Sequence, residues 1–194
     1  MDVPFDVAAY KIETKRVVMR PFTTEDLADV YAFASVPGVG EMAGWPHHKT
    51  KEASEEMLRG FIEKSDSFAV YHRADEKVIG YLALHGSWTS RNEAYKHLSA
   101  KEVGCVIAKP YWGQGLASEI LEATIEFGFD VLGLDALAIA HIAENTTSRR
   151  VAEKMGFTYI ETGVYYSKRL DKSFDDIRHI LLKPPIGDLC ENLQ

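Results

Sequence analysis

The sequence predicts an α/β or α+β domain with a mixed sheet, and three observations carry that expectation. Two β-prone runs, Ser67–His72 and Val78–His85, flank the polar Arg73-Ala74-Asp75-Glu76-Lys77 and read as an antiparallel hairpin. Further along, the strands Glu102–Ala108 and Ala136–Ile142 are each followed by a helical pattern, as crossover connections require. No internal repeat, low-complexity tract or Ser/Gly-rich linker divides the chain, and 194 residues suit one large domain spanning 1–194.

The elements follow in order. Val17–Arg20 is a short strand stopped at Pro21. Thr23-Thr24-Glu25-Asp26 opens a helix with acids in its first turn, and Leu27, Val30, Tyr31 and Ala34 recur at helical spacing. Pro37–Lys49 is rich in Gly and Pro and reads as irregular. A second helix runs from about Thr50 to Lys64, with Met57, Leu58, Phe61 and Ile62 on one side. After the hairpin, Gly86–Ala100 is a loop, and the strand Glu102–Ala108 ends before Pro110. A long amphipathic helix from Gln114 to about Phe129 places Ala117, Ile120, Leu121, Thr124 and Ile125 on one face. The helix Thr146–Met155 is closed by Gly156, a left-handed cap. Phe157–Glu161 and Val164–Ser167 read as separate strands, and Ile177–Leu182 as a last one stopped by Pro184-Pro185. Residues 184–194 form a polar tail, either flexible or in contact with a partner subunit.

Composition narrows the function classes. With 46% hydrophobic and 26% charged residues the chain is a packed soluble globule, too apolar for disorder. No apolar run approaches the ~20 residues of a membrane span, and the N-terminus shows no basic-then-apolar leader. The two cysteines, Cys105 and Cys190, make neither a disulfide framework nor a metal spacing, so a reducing cytoplasm is expected and no metal. A net charge of −7 without a basic run argues against nucleic acid and suits a cationic or amine-bearing partner. The chain is expected as a monomer or homodimer.

The strongest chemical signal is Pro110-Tyr111-Trp112-Gly113-Gln114-Gly115-Leu116-Ala117, at a strand-to-helix junction. The first turn of a helix carries N–H groups without intrahelical partners, at the positive end of the dipole. Two nearby glycines let a phosphate approach the backbone, and Ala117 and Ser118 keep the next turn small. No lysine follows, so the Walker pattern is absent, and Ser118 replaces the third glycine of the dinucleotide fingerprint.

Downstream stand Glu144-Asn145-Thr146-Thr147-Ser148 and Val151-Ala152-Glu153-Lys154-Met155-Gly156-Phe157. The pairing of PYWGQGLASE with ENTTSRRVAEKMGF resembles the GNAT N-acetyltransferase superfamily, in its Rim-type branch that modifies ribosomal-protein N-termini. VMRPFTTEDLADVYAFAS and IGYLAL fit that branch too, so the resemblance covers about Arg16 to Leu182. It implies a GNAT-like mixed, mostly antiparallel sheet with helices on both faces, and acetyl-CoA as cosubstrate. The acceptor it implies is a protein N-terminal amine or a small amine, the alternative being a catalytically silent CoA-binding module.

The resemblance also implies site residues. Backbone amides from Gly113 through Gln114, Gly115, Leu116 and Ala117 to Ser118 would hold the CoA pyrophosphate, with Trp112 where relatives often carry Gln or Arg. Val106 and Ile107 would pair with the pantetheine arm, Asn145 would hydrogen-bond it, and Ser148 would stand by the departing thiolate. Where many relatives place an acidic tyrosine this chain has Ala152, which favours Ser148. For the base, Glu102, Glu41 and His141 are candidates beside water, each also readable as a strand-end, loop-surface or core residue. Trp45–His48 would line the acceptor pocket, Cys105 reads as an inert core thiol, and Tyr165-Tyr166 as packing or a dimer contact.

Overall fold

The computed structural model describes residues 5–185. Its sheet has eight strands: β1 (Ile12–Glu13), β2 (Val17–Pro21), β3 (Ser67–His72), β4 (Lys77–Gly86), β5 (Ala100–Ile107), β6 (Ala136–Ile142), β7 (Thr158–Ser167) and β8 (Lys172–Leu182). They lie in the order β1-β2-β3-β4-β5-β6-β8-β7. Every neighbouring pair is antiparallel except β5–β6, which the crossover through α3 (Leu116–Glu126) makes parallel. The other helices are α1 (Leu27–Ala34), α2 (Lys51–Lys64) and α4 (Thr146–Lys154).

Strand alternation distributes the helices. Tyr81 on β4 meets Phe33 of α1 and Phe61 of α2. Its neighbour Leu82 is paired with Phe68, which packs on Phe127 at the end of α3. Successive side chains of a strand point to opposite faces, so α1 and α2 cover one face and α3 the other, as expected. Phe68, Leu82, Leu84, Leu116, Ile120 and Leu137 are fully buried in this core. Each such side chain contributes about 1.5–3 kcal/mol relative to an exposed one.

The β5–β6 pair is incomplete, and that positions the site. Its register covers only Ala100↔Ala136, Lys101↔Leu137 and Glu102↔Ala138. Beyond Glu102, β5 pairs only with β4 on its other side, and β6 beyond Ala138 only with β8. The two strands therefore form a fork whose inner edges carry peptide groups without a strand partner.

A bulge on β4 sets the course of this edge. The β3–β4 register shifts between Ala69 and Tyr71, whose partners are Tyr81 and Val78. Within the bulge, a Cβ added to Gly80 would lie 1.9 Å from the Val106 carbonyl oxygen. That atom is backbone and cannot swing aside. Gly80→Ala is expected to cost about 2 kcal/mol by overpacking, lowering the thermal midpoint by about 4–8 °C. An unchanged melting curve would show that the strands separate there without cost.

Several boundaries differ from expectation. α3 begins at Leu116 rather than Gln114, because Gly115 holds φ +78° and cannot be helical. It ends in a π-type segment, Phe127–Val131. The two strands expected around residues 157–167 are one, β7, running through Gly163. That glycine marks room for a neighbour rather than a turn: an added Cβ would lie 2.5 Å from the Arg178 guanidinium. β8 correspondingly starts at Lys172, not Ile177. The tail expected from Pro184, and Cys190 in it, lies beyond Pro185 outside the described residues. Among the described residues no helix is long and apolar enough to cross a membrane.

Candidate active site

The glycine loop forms an open cradle. Gly113 and Gly115 have φ +74° and +78°, and nothing lies within 4 Å of a Cβ placed on Gly113. Gly115 is the N-cap of α3 with no side chain closing it. The first intrahelical bond there is Glu119 N–H to the Gly115 carbonyl, 3.1 Å. The N–H groups of Leu116, Ala117 and Ser118 thus sit at the positive helix end without intrahelical acceptors. Trp112 braces the loop through an indole N–H to the Ile107 carbonyl (2.7 Å), and the Gln114 amide donates to the Pro110 carbonyl (2.9 Å).

A clamp unforeseen from the sequence fixes the cradle to the first hairpin. Arg16 donates from Nε to Glu119 (2.6 Å) and from Nη1 to the Gln114 carbonyl (2.8 Å). Glu119 also accepts from the Thr14 hydroxyl (2.6 Å) and the Arg16 N–H (2.8 Å). Burial raises the Glu119 pKa, but these donors outweigh it and hold the carboxylate below its usual range. No local pattern links residues a hundred positions apart, so only the folded chain reveals Arg16.

The cradle and the N-terminus of α4 both follow the carboxyl ends of the forked strands, β5 and β6. In open α/β sheets that is where ligands bind. Asn145 caps α4: its Oδ1 accepts from the Ser148 N–H (3.0 Å), and its Nδ2 donates to the Met42 carbonyl (3.2 Å). Each end of a carboxamide has capacity for a second hydrogen bond. Ser148 is half-buried in the first turn of α4, and Ala152 is fully buried one turn on.

The three candidate bases separate on geometry. Glu102 stands at the vertex of the fork, in the last parallel pair. Its carboxylate accepts from the Trp88 N–H (3.2 Å) and faces His85 on β4 and Asp176 and Arg178 on β8. Burial pushes its pKa above the usual carboxylate range, against the opposing pull of His85. Among the described carboxylates with a resolved shift, it alone moves upward. Asp176 and Glu161 are both bound by Arg178, at 2.9 and 2.8 Å.

Glu41 is instead a loop staple. It accepts from the Gly38 N–H (2.8 Å), the His47 N–H (3.1 Å) and His47 Nδ1 (2.7 Å). Burial raises its pKa, but the bonds from His47 and Gly38 prevail and bring it down to about 2, too weak a base for an ammonium. His141 lies on the opposite face: Glu102 shares its face with Ala138 and Ala140, and His141 alternates away from them. Its ring stacks on His179 at 5.3 Å.

In the Trp45–His48 segment, Trp45 and His48 point inward, while Pro46 is exposed and His47 half-buried. Trp45 is buried and donates to the Tyr81 hydroxyl (3.3 Å), and His48 is buried against the Ser54 hydroxyl (2.7 Å). Pro46 and His48 line a cavity with Ala53, Glu56, Met57 and Arg169. Cys105 departs from expectation, being exposed where a core thiol was anticipated. Cys105 lies beyond Glu102, where β5 no longer pairs with β6, and its sulfur is still crowded by protein. The poor solvation of its thiolate pushes the thiol up to about 12, which leaves it a poor nucleophile. Tyr165 stacks on Phe174 beside Gly44 and Tyr166 is bonded to Asp171, and both rings stay exposed.

Comparison with known proteins identifies the family. The family model described as "Acetyltransferase (GNAT) domain" matches residues 16–158. The uncharacterized N-acetyltransferase YoaA of Bacillus subtilis is 27% identical over 151 residues, covering 75% of this chain and 81% of YoaA. Two Vibrio cholerae structures share the fold. One, proposed to be a ribosomal-protein-serine acetyltransferase, is 22% identical with TM-score 0.72, over 91% of this chain and 99% of its own. The other, a spermidine N-acetyltransferase in complex with CoA and spermine, is 18% identical with TM-score 0.68, over 87% and 96%. With the family model running from β2 through the fork and the cradle to α4, the chain belongs to the GNAT acetyltransferases and is an acetyl-CoA-dependent N-acetyltransferase.

Proposed function

We propose that this enzyme acetylates the α-amino group at a protein N-terminus, with Glu102 as base and Ser148 beside the departing thiolate. The carrying observation is Glu102 at the vertex of the fork, the described carboxylate whose surroundings favour taking up a proton. Amides at Gly113–Ser118 fit a pyrophosphate, and the edge at Val106 and Ile107 fits an amide-bearing arm, as in strand addition. The spare N–H and lone pair of Asn145 lie near the mouth of the same slot.

In this reading acetyl-CoA brings its carbonyl to the vertex. Glu102 removes a proton from the ammonium, the neutral amine attacks the thioester carbon, and a backbone N–H of β5 stabilises the carbonyl oxygen. The Ser148 hydroxyl then donates to the leaving sulfur. Charge count supports an α-amine over a polyamine. Asp176 and Glu161 are spent on Arg178, whereas Glu102 has no ion pair among the described residues, so the vertex offers one negative charge. An α-amino group, with a pKa of about 7.7–8.0, also loses its proton more readily than a lysine-type amine at about 10.4.

The test is thiol release from acetyl-CoA with serine- and alanine-initiated hexapeptides against spermine. Peptides are expected to give at least about tenfold higher kcat/KM, and a preference for spermine would overturn the acceptor assignment. Ser148→Ala is expected to lower kcat by about tenfold to a hundredfold while acetyl-CoA affinity stays within about twofold. The Asn145 cap uses the Ser148 backbone N–H, so the substitution leaves α4 intact. Unchanged turnover would remove Ser148 from the mechanism.

A further inference from the structure

His85 stands directly across from Glu102 in the β4–β5 register, so both side chains emerge on one face. Opposed residues of an antiparallel pair have Cβ atoms about 4.5–5.5 Å apart. The ring extends along β5 over Gly104, where an added Cβ would lie 3.5 Å from Nε2. That is ordinary van der Waals distance, so the ring lies along this stretch of β5 in simple contact range. His85 Nδ1 lies 3.3 Å from the Gly86 carbonyl, which only accepts, so a neutral ring donating there carries its proton on Nδ1. Nε2 is left with its lone pair over the floor of the site, and the residue is exposed.

Glu102 needs such a neighbour. Once protonated, its mostly enclosed carboxyl has to lose that proton before the next turnover. The groups facing it are the Trp88 N–H, which donates only, Arg178, held between Asp176 and Glu161, and Asp176, committed to Arg178. His85 alone among them combines a free lone pair with access to solvent.

We propose that His85 is the proton exit of the acetyl-transfer site. The Glu102 O–H bond breaks as a bridging water takes that proton, the water gives one of its own to Nε2 of His85, and the imidazolium releases it to bulk solvent. This rests on Glu102 being the base. Imidazole is the side chain best suited to exchange protons near neutral pH.

The experiment compares wild type, His85→Ala and Glu102→Gln with acetyl-CoA and a serine-initiated hexapeptide or spermine, by thiol release with and without added imidazole. His85→Ala is expected to lose about tenfold in kcat, with KM for acetyl-CoA and the melting midpoint nearly unchanged. Imidazole should restore it severalfold, because the vacated space over Gly104 opens to solvent. Wild-type kcat in His85→Ala, or a loss that imidazole does not repair, overturns the relay while leaving Glu102 in place. Wild-type turnover in Glu102→Gln overturns the base assignment, and the relay with it.

Discussion

Gly115→Val is expected to abolish measurable acetyl-CoA binding by calorimetry, raising Kd by at least about a hundredfold. Two effects combine. The residue holds φ +78°, a left-handed conformation that costs a side-chain-bearing residue about 1–2 kcal/mol. The larger effect is that a branched Cβ stands at the N-terminus of α3, where phosphate oxygens must reach the free N–H groups. Protein atoms give little resistance, since an ideal Cβ meets only the Arg16 guanidinium, at 3.7 Å. The variant should therefore fold. Gly133→Val supplies the control: it has φ +64° with nothing within 4 Å, so it carries the backbone cost without touching the cradle. Unchanged affinity in Gly115→Val, or equal losses in both variants, would refute the cradle assignment.

Glu102→Gln is expected to lower kcat by about 10²–10⁴-fold, the range of general-base catalysis, and to leave acetyl-CoA affinity unchanged. The amide oxygen can still accept from the Trp88 N–H, so the strand geometry persists. Wild-type kcat/KM should climb with pH along a limb displaced above the usual glutamate range, and the variant should lack it. Stability follows the same linkage with a definite sign. A carboxyl whose folded pKa is raised by burial binds its proton more tightly folded than unfolded. Wild type therefore loses stability as pH rises from near 4.5, the ordinary glutamate value, through the raised folded value. The variant has no such dependence and should melt at or above the wild-type midpoint near neutral pH. Wild-type turnover in Glu102→Gln would sink the base assignment.

Much of this was legible in the linear chain because it rests on local rules. The hairpin around Arg73–Lys77, the strand Ala136–Ile142, the helix from Thr146 and its Gly156 cap follow from alternation, capping and turn chemistry over a few residues. The cradle was readable for the same reason, since left-handed glycines and a bare helix start are neighbours in sequence. Errors arose where a residue's meaning depends on a distant partner. Phe157–Glu161 and Val164–Ser167 read as two strands but form one, in which Gly163 is a berth for Arg178. Cys105 sits in an apolar run yet is exposed, beyond the point where β5 stops pairing with β6.

The sequence by itself thus determined the family resemblance, the cradle and the order of elements, all encoded within short windows. Only the tertiary structure gives the three candidate bases different surroundings. It tied Glu41 into its own loop, turned His141 to the far face and left Glu102 at the vertex. It also brought Arg16 to Glu119 and His85 across from Glu102. A carboxylate's proton affinity is set by burial and by the charges around it, and both come into being only when remote strands pair.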